Sequence, residues 1–248
     1  QGKSIEQPLR ADLADDTSAI SSNLDRHLNI DLFATIADWQ FLNLNPYTMG
    51  NPSPQKRASN TIRLAKDGSN IGEYLLSIEK QDPSAFQGII ETLQYVLPYV
   101  RDLQPQITSE LERSVYLQLT EANFKVPGWL FPTGTLRVLA LLAVLRHPQP
   151  PPLIVIEEIE NGLDPRTIHL IVHEIRNVVE SGSSQIILTT HSPYLLDLLL
   201  LSQIVLVERA PTGKPIFTRP AHQKNLKTWA EQFTPGNLYT MGQLNQEK

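Results

Sequence analysis

Three side chains have the types and spacing to do chemistry together: Glu157, Glu158 and His191. The two adjacent carboxylates follow Leu153 to Ile156, an unbroken and mostly β-branched run that reads as a strand buried on both faces. Neighbouring ionised carboxylates repel unless a cation or a proton intervenes. A parallel sheet places its ligands beyond the carboxyl ends of its strands, so a bound metal there would relieve that repulsion. Asn161-Gly162 supplies a tight turn, Asp164 can cap a helix and Pro165 suits its first turn. Ser183-Ser184 then leads into a second apolar run, Gln185 to Leu188, which ends in Thr189-Thr190-His191-Ser192-Pro193. A strand, a helix and a second strand thus set the Glu pair at one tip and His191 at the next. The bland alternative is a pair of carboxylates ending a strand in solvent, with His191 capping the Ser192-Pro193 turn.

An apolar run, Glu-Glu, the Glu160-Asn161-Gly162-Leu163-Asp164-Pro165 loop, a helix, then Thr-Thr-His-Ser-Pro resembles the ABC-type ATPase head. More narrowly, it resembles the bacterial AAA-type ATPases related to the RecF and SMC classes. The resemblance implies an α/β, P-loop NTPase C-terminal lobe with a mostly parallel sheet, a helical subdomain and some antiparallel strands. It implies ATP and Mg²⁺ as cofactors. Glu157 would hold Mg²⁺, Glu158 would polarise the attacking water, His191 would reach the γ-phosphate and Asp164 would lie at a dimer interface. Pro132-Thr133-Gly134-Thr135-Leu136-Arg137 stands where the family has its signature loop, which touches nucleotide bound to the opposite head. Gly134, Thr135 and Arg137 keep that pattern, while Pro132 replaces the usual serine. Thr133 or Thr135 would then have to supply the hydroxyl. Gly134 is expected just before the helix start, where free N–H groups favour an anion.

Gly2-Lys3-Ser4 matches the end of a P-loop, but no strand precedes it and Pro8 falls where the helix should continue. The P-loop is therefore expected on an N-terminal lobe outside this chain, with a second head as a further partner. Ser18 to Leu28 suits a short surface helix. Leu32, Phe33, Ile36, Ala37 and Phe41 have helical spacing over Asp31 to Phe41, with Trp39 as a core residue. Asn45 to Arg57, rich in Pro, Asn and Ser, reads as a linker, and Lys56 and Arg57 as a solvated loop. Ser69 or Asn70 would cap a helix with the stripe Ile71, Tyr74, Leu75 and Ile78. Asp82-Pro83 would open another, lined by Phe86, Ile89, Ile90 and Leu93. Val115, Leu117 and Leu119 alternate with polar residues, as in an antiparallel strand. Val138 to Leu145 is a buried helix, and Ile168, Ile171, Val172, Ile175 and Val179 make an amphipathic one. Tyr194 to Leu201 reads as a short helix, Gln203 to Val207 with Pro215 to Thr218 as a strand pair, and Trp229 and Phe233 as anchors of a C-terminal helix. The chain divides into 1–58, a helical subdomain at 59–102 and the ATPase lobe at 103–248.

The composition narrows the function. There are 248 residues, no cysteine and a net charge of −5. That charge gives no electrostatic footprint for nucleic acid, although the family resemblance leaves DNA or an effector protein open as a partner. No apolar run reaches the roughly 20 residues of a membrane span, so a cytoplasmic protein is expected. His169 and His173, one turn apart, could chelate zinc, but Leu170 stands where the zinc-protease pattern needs Glu. The leading expectation is an ATPase head in the complete protein, with this chain inactive alone. The alternative is a non-catalytic scaffold derived from such a head.

Overall fold

The computed structural model describes residues 36–55, 62–109, 112–223, 226, 229–230 and 232–244. The readings made for Gln1–Ser4, Ser18–Leu28 and Lys56–Arg57 lie outside the described residues. Contacts divide the chain into two units, Gln1–Asp38 and Trp39–Lys248, and the account below concerns the second. Its elements are β1 (Gln40–Leu42), α1 (Pro46–Met49), β2 (Ser53–Pro54), α2 (Ile71–Gln81), α3 (Pro83–Val96), β3 (Val100–Ile107), β4 (Ser114–Glu121) and β5 (Phe124–Pro127). There follow α4 (Thr133–Leu145), β6 (Leu153–Ile156), α5 (Pro165–Glu180), β7 (Gln185–Leu188), α6 (Pro193–Asp197), β8 (Leu206–Arg209), β9 (Pro215–Thr218) and α7 (Pro235–Thr240).

The fold is mixed α/β. β1, β6 and β7 form a parallel sheet in that order, while β2, β3, β4 and β5 form an antiparallel one and β8 pairs with β9. α4 is apolar almost all round, and a helix of that kind belongs inside. Every residue from Val138 to Leu145 is buried, and the helix packs against α1, α2, α3 and α5. The stripes of α2 and α3 face inward as their spacing requires, and Asp82 caps α3 through the N–H groups of Ser84 and Ala85. Among the described residues, no helix is long and apolar enough to cross a membrane.

Register explains which side of the parallel sheet is covered. Leu42, Ile156 and Leu188 share one face with Gln40, Ile154 and Ile186, and this face joins the core. Gln40 is tolerated there because its Nε2 donates to the Leu64 carbonyl at 2.9 Å. Phe41, Val155 and Ile187 form a row across the other face, where Phe41 and Ile187 are each 48% exposed. Burial on both faces, expected for Leu153–Ile156, is thus realised on one: Ile154 and Ile156 are buried, Leu153 and Val155 half-buried.

Other expectations need correction. The helical spacing through Phe41 is interrupted, because Gln40–Leu42 is a strand. Asn45–Gln55 is not a linker. Asn45 caps α1, Met49 is buried against Gly68, and β2 pairs with β4. Strands from 1–58 therefore pair with strands from 103–248, and the sequence-based grouping does not follow the pairing. Asn70 is the N-cap residue of α2 but spends its side chain on Ala65 N–H and the Arg63 carbonyl. On α5 it is Val178 that is buried, whereas Val179 is exposed. Trp229 and Phe233 are partly exposed and pack on each other, ring centroids 6.0 Å apart, ahead of α7.

One ion pair ties three helices. Arg146, just past α4, donates Nε and Nη2 to the two carboxylate oxygens of Glu174 on α5, each at 2.8 Å, and Nη1 to Gly88 O on α3 at 3.3 Å. Glu174 is buried while Arg146 keeps contact with water. Glu174→Ala should destabilise the chain by about 1.5–3 kcal/mol, the range of hydrogen bonds to charged groups, and below the cost of breaking a fully buried pair. Urea denaturation of both proteins measures it.

Candidate active site

The three chemistry-bearing residues lie where two neighbouring parallel strands end. Glu157 N–H still donates to Leu42 O at 2.9 Å, and Thr189 N–H to Ile156 O at 3.0 Å, so the ladder carries to the first residue past each strand. Beyond it the two loops are tied together. Glu158 N–H donates to Thr189 Oγ1 at 2.9 Å, Ile159 N–H to Thr189 O at 3.3 Å, and His191 N–H to Glu160 Oε1 at 2.7 Å. Glu157, Glu158 and His191 themselves are exposed.

Glu158 has a φ of 45°, in the left-handed region that a side chain with a Cβ occupies at a cost. The bond to Thr189 holds that conformation, and Asn161 Nδ2 donates to Glu158 Oε2. Asn161 N–H closes the turn on Glu158 O at 3.0 Å. Gly162, at φ 70°, takes the left-handed place the turn requires. Glu160 has one carboxylate oxygen on His191 N–H, while Oε2 is buried without a hydrogen-bond partner.

Asp164 caps α5 as expected, and its carboxylate is fully engaged. Oδ1 accepts from Arg166 N–H and Thr167 N–H, and Oδ2 from the Thr167 hydroxyl. These bonds, the Thr167 hydroxyl foremost, hold its pKa below the ordinary value. Gly134 lies inside the first turn of α4, not before it, and its backbone abuts the loop after β6. A Cβ at Gly134 would stand 2.7 Å from Gly162 O. Thr135 is buried and Thr133 exposed, so only Thr133 presents a hydroxyl outward. Arg137 turns inward: Nη2 donates to Leu44 O at 2.8 Å, and burial lowers its pKa against the opposing pull of the Glu158 charge. His169 and His173 are exposed, and among the described residues no three His, Asp or Glu side chains are grouped to hold a metal.

Thr189, Glu160 and the side chain of Asn161 belong to this site, though the sequence marked them only as parts of loops. Tyr239 belongs to it as well, its hydroxyl 3.4 Å from His191 Nδ1, and nothing in the sequence linked it to the histidine.

The site thus combines paired carboxylates at one strand tip of a parallel sheet, a histidine at the next and a glycine-bearing helix start against the intervening loop. Residues 9–197 match the family described as "AAA domain, putative AbiEii toxin, Type IV TA system", and the chain belongs to that family. No curated protein matches it. Among solved structures it is similar to one described in work on the structural biochemistry of ATP-driven dimerization and DNA-stimulated activation of SMC ATPases, with 14% identity, a TM-score of 0.47, and coverage of 63% of this chain and 96% of that one. It is similar also to an SMC head bound to the C-winged helix domain of ScpA, with 15% identity, a TM-score of 0.44, and coverage of 63% and 50%. A third is the SMC head with an extended coiled coil from Pyrococcus furiosus, bound to the C-terminal domain of ScpA, with 13% identity, a TM-score of 0.43, and coverage of 67% and 42%. The chain thus spans half or less of the last two.

The Asp164 cap gives a pH-dependent expectation. Asp164→Ala should lower stability by about 1 kcal/mol at pH 7, the usual worth of an N-cap. Because the folded-state pKa is depressed, the charge-dependent part of that stability is present above the unfolded value of about 3.9 and is lost as pH falls through the folded value. The gap between wild type and variant should therefore narrow in acid, as chemical denaturation at pH 7 and at about pH 3 would record.

Proposed function

We propose that this chain is the carboxylate-bearing lobe of an ATP-hydrolysing head. Glu157 holds the Mg²⁺ that accompanies ATP, Glu158 orients the attacking water and accepts its proton, and His191 hydrogen-bonds the γ-phosphate. The observation that carries this reading is the tie between the two strand tips, which keeps Glu158 and His191 on adjacent loops of one sheet edge. The family to which the chain belongs supports it.

The donor set suits the nucleotide-bound mode of Mg²⁺. That ion prefers oxygen ligands, and in ATPase sites it takes one or two carboxylates and completes its shell with phosphate and water. Two exposed carboxylates at a strand tip meet that need, whereas an all-protein cage would require more ligands than the described residues assemble. When bound, the ion would share the phosphate charge as it builds up in the transition state. Glu158, held near Thr189 and Asn161, then takes a proton from water as its oxygen bonds to the γ-phosphorus and ADP leaves.

The rest of the phosphate site comes, in this reading, from a P-loop-bearing lobe. The row of Phe41, Val155 and Ile187 supports a seat for it, because a parallel sheet is normally covered on both faces. A second head would meet the signature face, where exposed Thr133 beside Gly134 takes the place of the usual serine. Arg137 and Asp164 would shape that face from behind, since their side chains bind within the chain. The hydrolysis cycle would drive an effector, either DNA or a nuclease or toxin partner.

Glu158→Gln in the full-length protein should leave ATP and Mg²⁺ binding in place and reduce turnover by about 10²–10⁴-fold, the contribution of a positioned base. Blocked hydrolysis should then let an ATP-dependent dimer accumulate. Glu157→Gln should weaken Mg²⁺ dependence as well as rate. Turnover, nucleotide affinity and dimer mass of the two variants separate these roles. Unchanged turnover in Glu158→Gln would remove it as the base.

A further inference from the structure

The histidine loop is gripped from a part of the chain far along the sequence. α6 begins at Pro193, two residues after His191, and α7 packs directly on it. The approach is close enough to require glycine: a Cβ at Gly236 would stand 2.2 Å from Pro193 O, and Gly236 N–H donates to Asp197 Oδ1 at 2.6 Å. α7 rests in turn on a small core of its own, in which Leu196, Ile204, Leu226, Leu238 and Leu244 are buried and Tyr239 packs at the edge. From that seat the Tyr239 hydroxyl reaches His191 Nδ1. The backbone N–H of the same histidine donates to Glu160 Oε1.

We propose that Tyr239 is a positioning residue for His191, its hydroxyl donating to Nδ1 so that the neutral ring carries its proton on Nε2. A phenol hydroxyl can donate, and a ring nitrogen that accepts leaves the proton on its partner. The exposed Nε2–H is then the free donor, which is the form needed to bond an anionic phosphate oxygen; a ring protonated on Nδ1 instead would meet that oxygen with a lone pair. The geometry stands without the ATPase reading, while its consequence for turnover rests on it.

The test uses Tyr239→Phe, which removes one oxygen and keeps the ring in the small core. Two-bond proton–nitrogen correlation spectra of the chain, at a pH where imidazole is neutral, report the tautomer of each histidine, and His191→Gln identifies the signal. His191 should show a larger Nε2–H fraction than exposed His169 and His173, falling to their level in Tyr239→Phe. An equal fraction in wild type and variant, or a proton on Nδ1, would overturn the assignment. In the full-length protein, Tyr239→Phe should lower kcat about five-fold, the worth of one neutral hydrogen bond, with KM for ATP unchanged. A matched change in KM alone would contradict a role in positioning. If wild-type protein showed no turnover, the ATPase reading would fall while the nitrogen spectra still decided the tautomer.

Discussion

The site depends on the bonds that join the loops after β6 and β7. Parallel strands end without a connecting turn, so nothing in the ladder itself keeps the residues beyond them together. Thr189 supplies the missing link twice, through its hydroxyl to Glu158 N–H and its carbonyl to Ile159 N–H, and Glu160 adds a third bond to His191 N–H. These contacts turn two loop segments into one edge. The helices behind it keep the strands from shifting: α4 is buried along almost its whole length, and Arg146 with Glu174 joins its end to α5 and α3.

What could be read from the sequence was local. The strand before Glu157, the cap at Asp164, the turn at Gly162 and the strand before Thr189 each follow from a few neighbouring residues, and the structure has all four. What was missed depends on distant partners. Pro, Asn and Ser make Asn45–Arg57 look like a linker, yet Asn45 uses its polarity to cap α1 and Met49 fills space beside Gly68. Gln40–Leu42 is too short for its alternation to be told from a helical pattern, and its identity as a strand comes from pairing with β6. The inward faces of Thr135 and Arg137 were hidden for the same reason, because motif spacing says nothing about which side of a helix start meets the core.

The internal use of Arg137 and Asp164 changes how the proposed signature face is understood. A side chain tied to Leu44 O, or to three donors at a helix start, gives up contacts if it turns to a partner. Such residues set the position of the surface without supplying it. The close approach of Gly134 to Gly162 works the same way: it couples the start of α4 to the turn after Glu158, so the two loops share a wall.

Glu158 is where local preference and the site conflict. A left-handed residue suits glycine, and a non-glycine residue there carries a cost of about 1–2 kcal/mol. Glycine would remove the cost and the carboxylate together. Keeping glutamate requires surroundings that hold the conformation, and they are present: Thr189 takes its N–H, Asn161 contacts its carboxylate and returns an N–H to its carbonyl, and Arg137 lies close enough for the two charges to interact. A carboxylate merely ending a strand in solvent would need none of these. The strain and its supports therefore favour a residue kept for its chemistry over one kept for solubility.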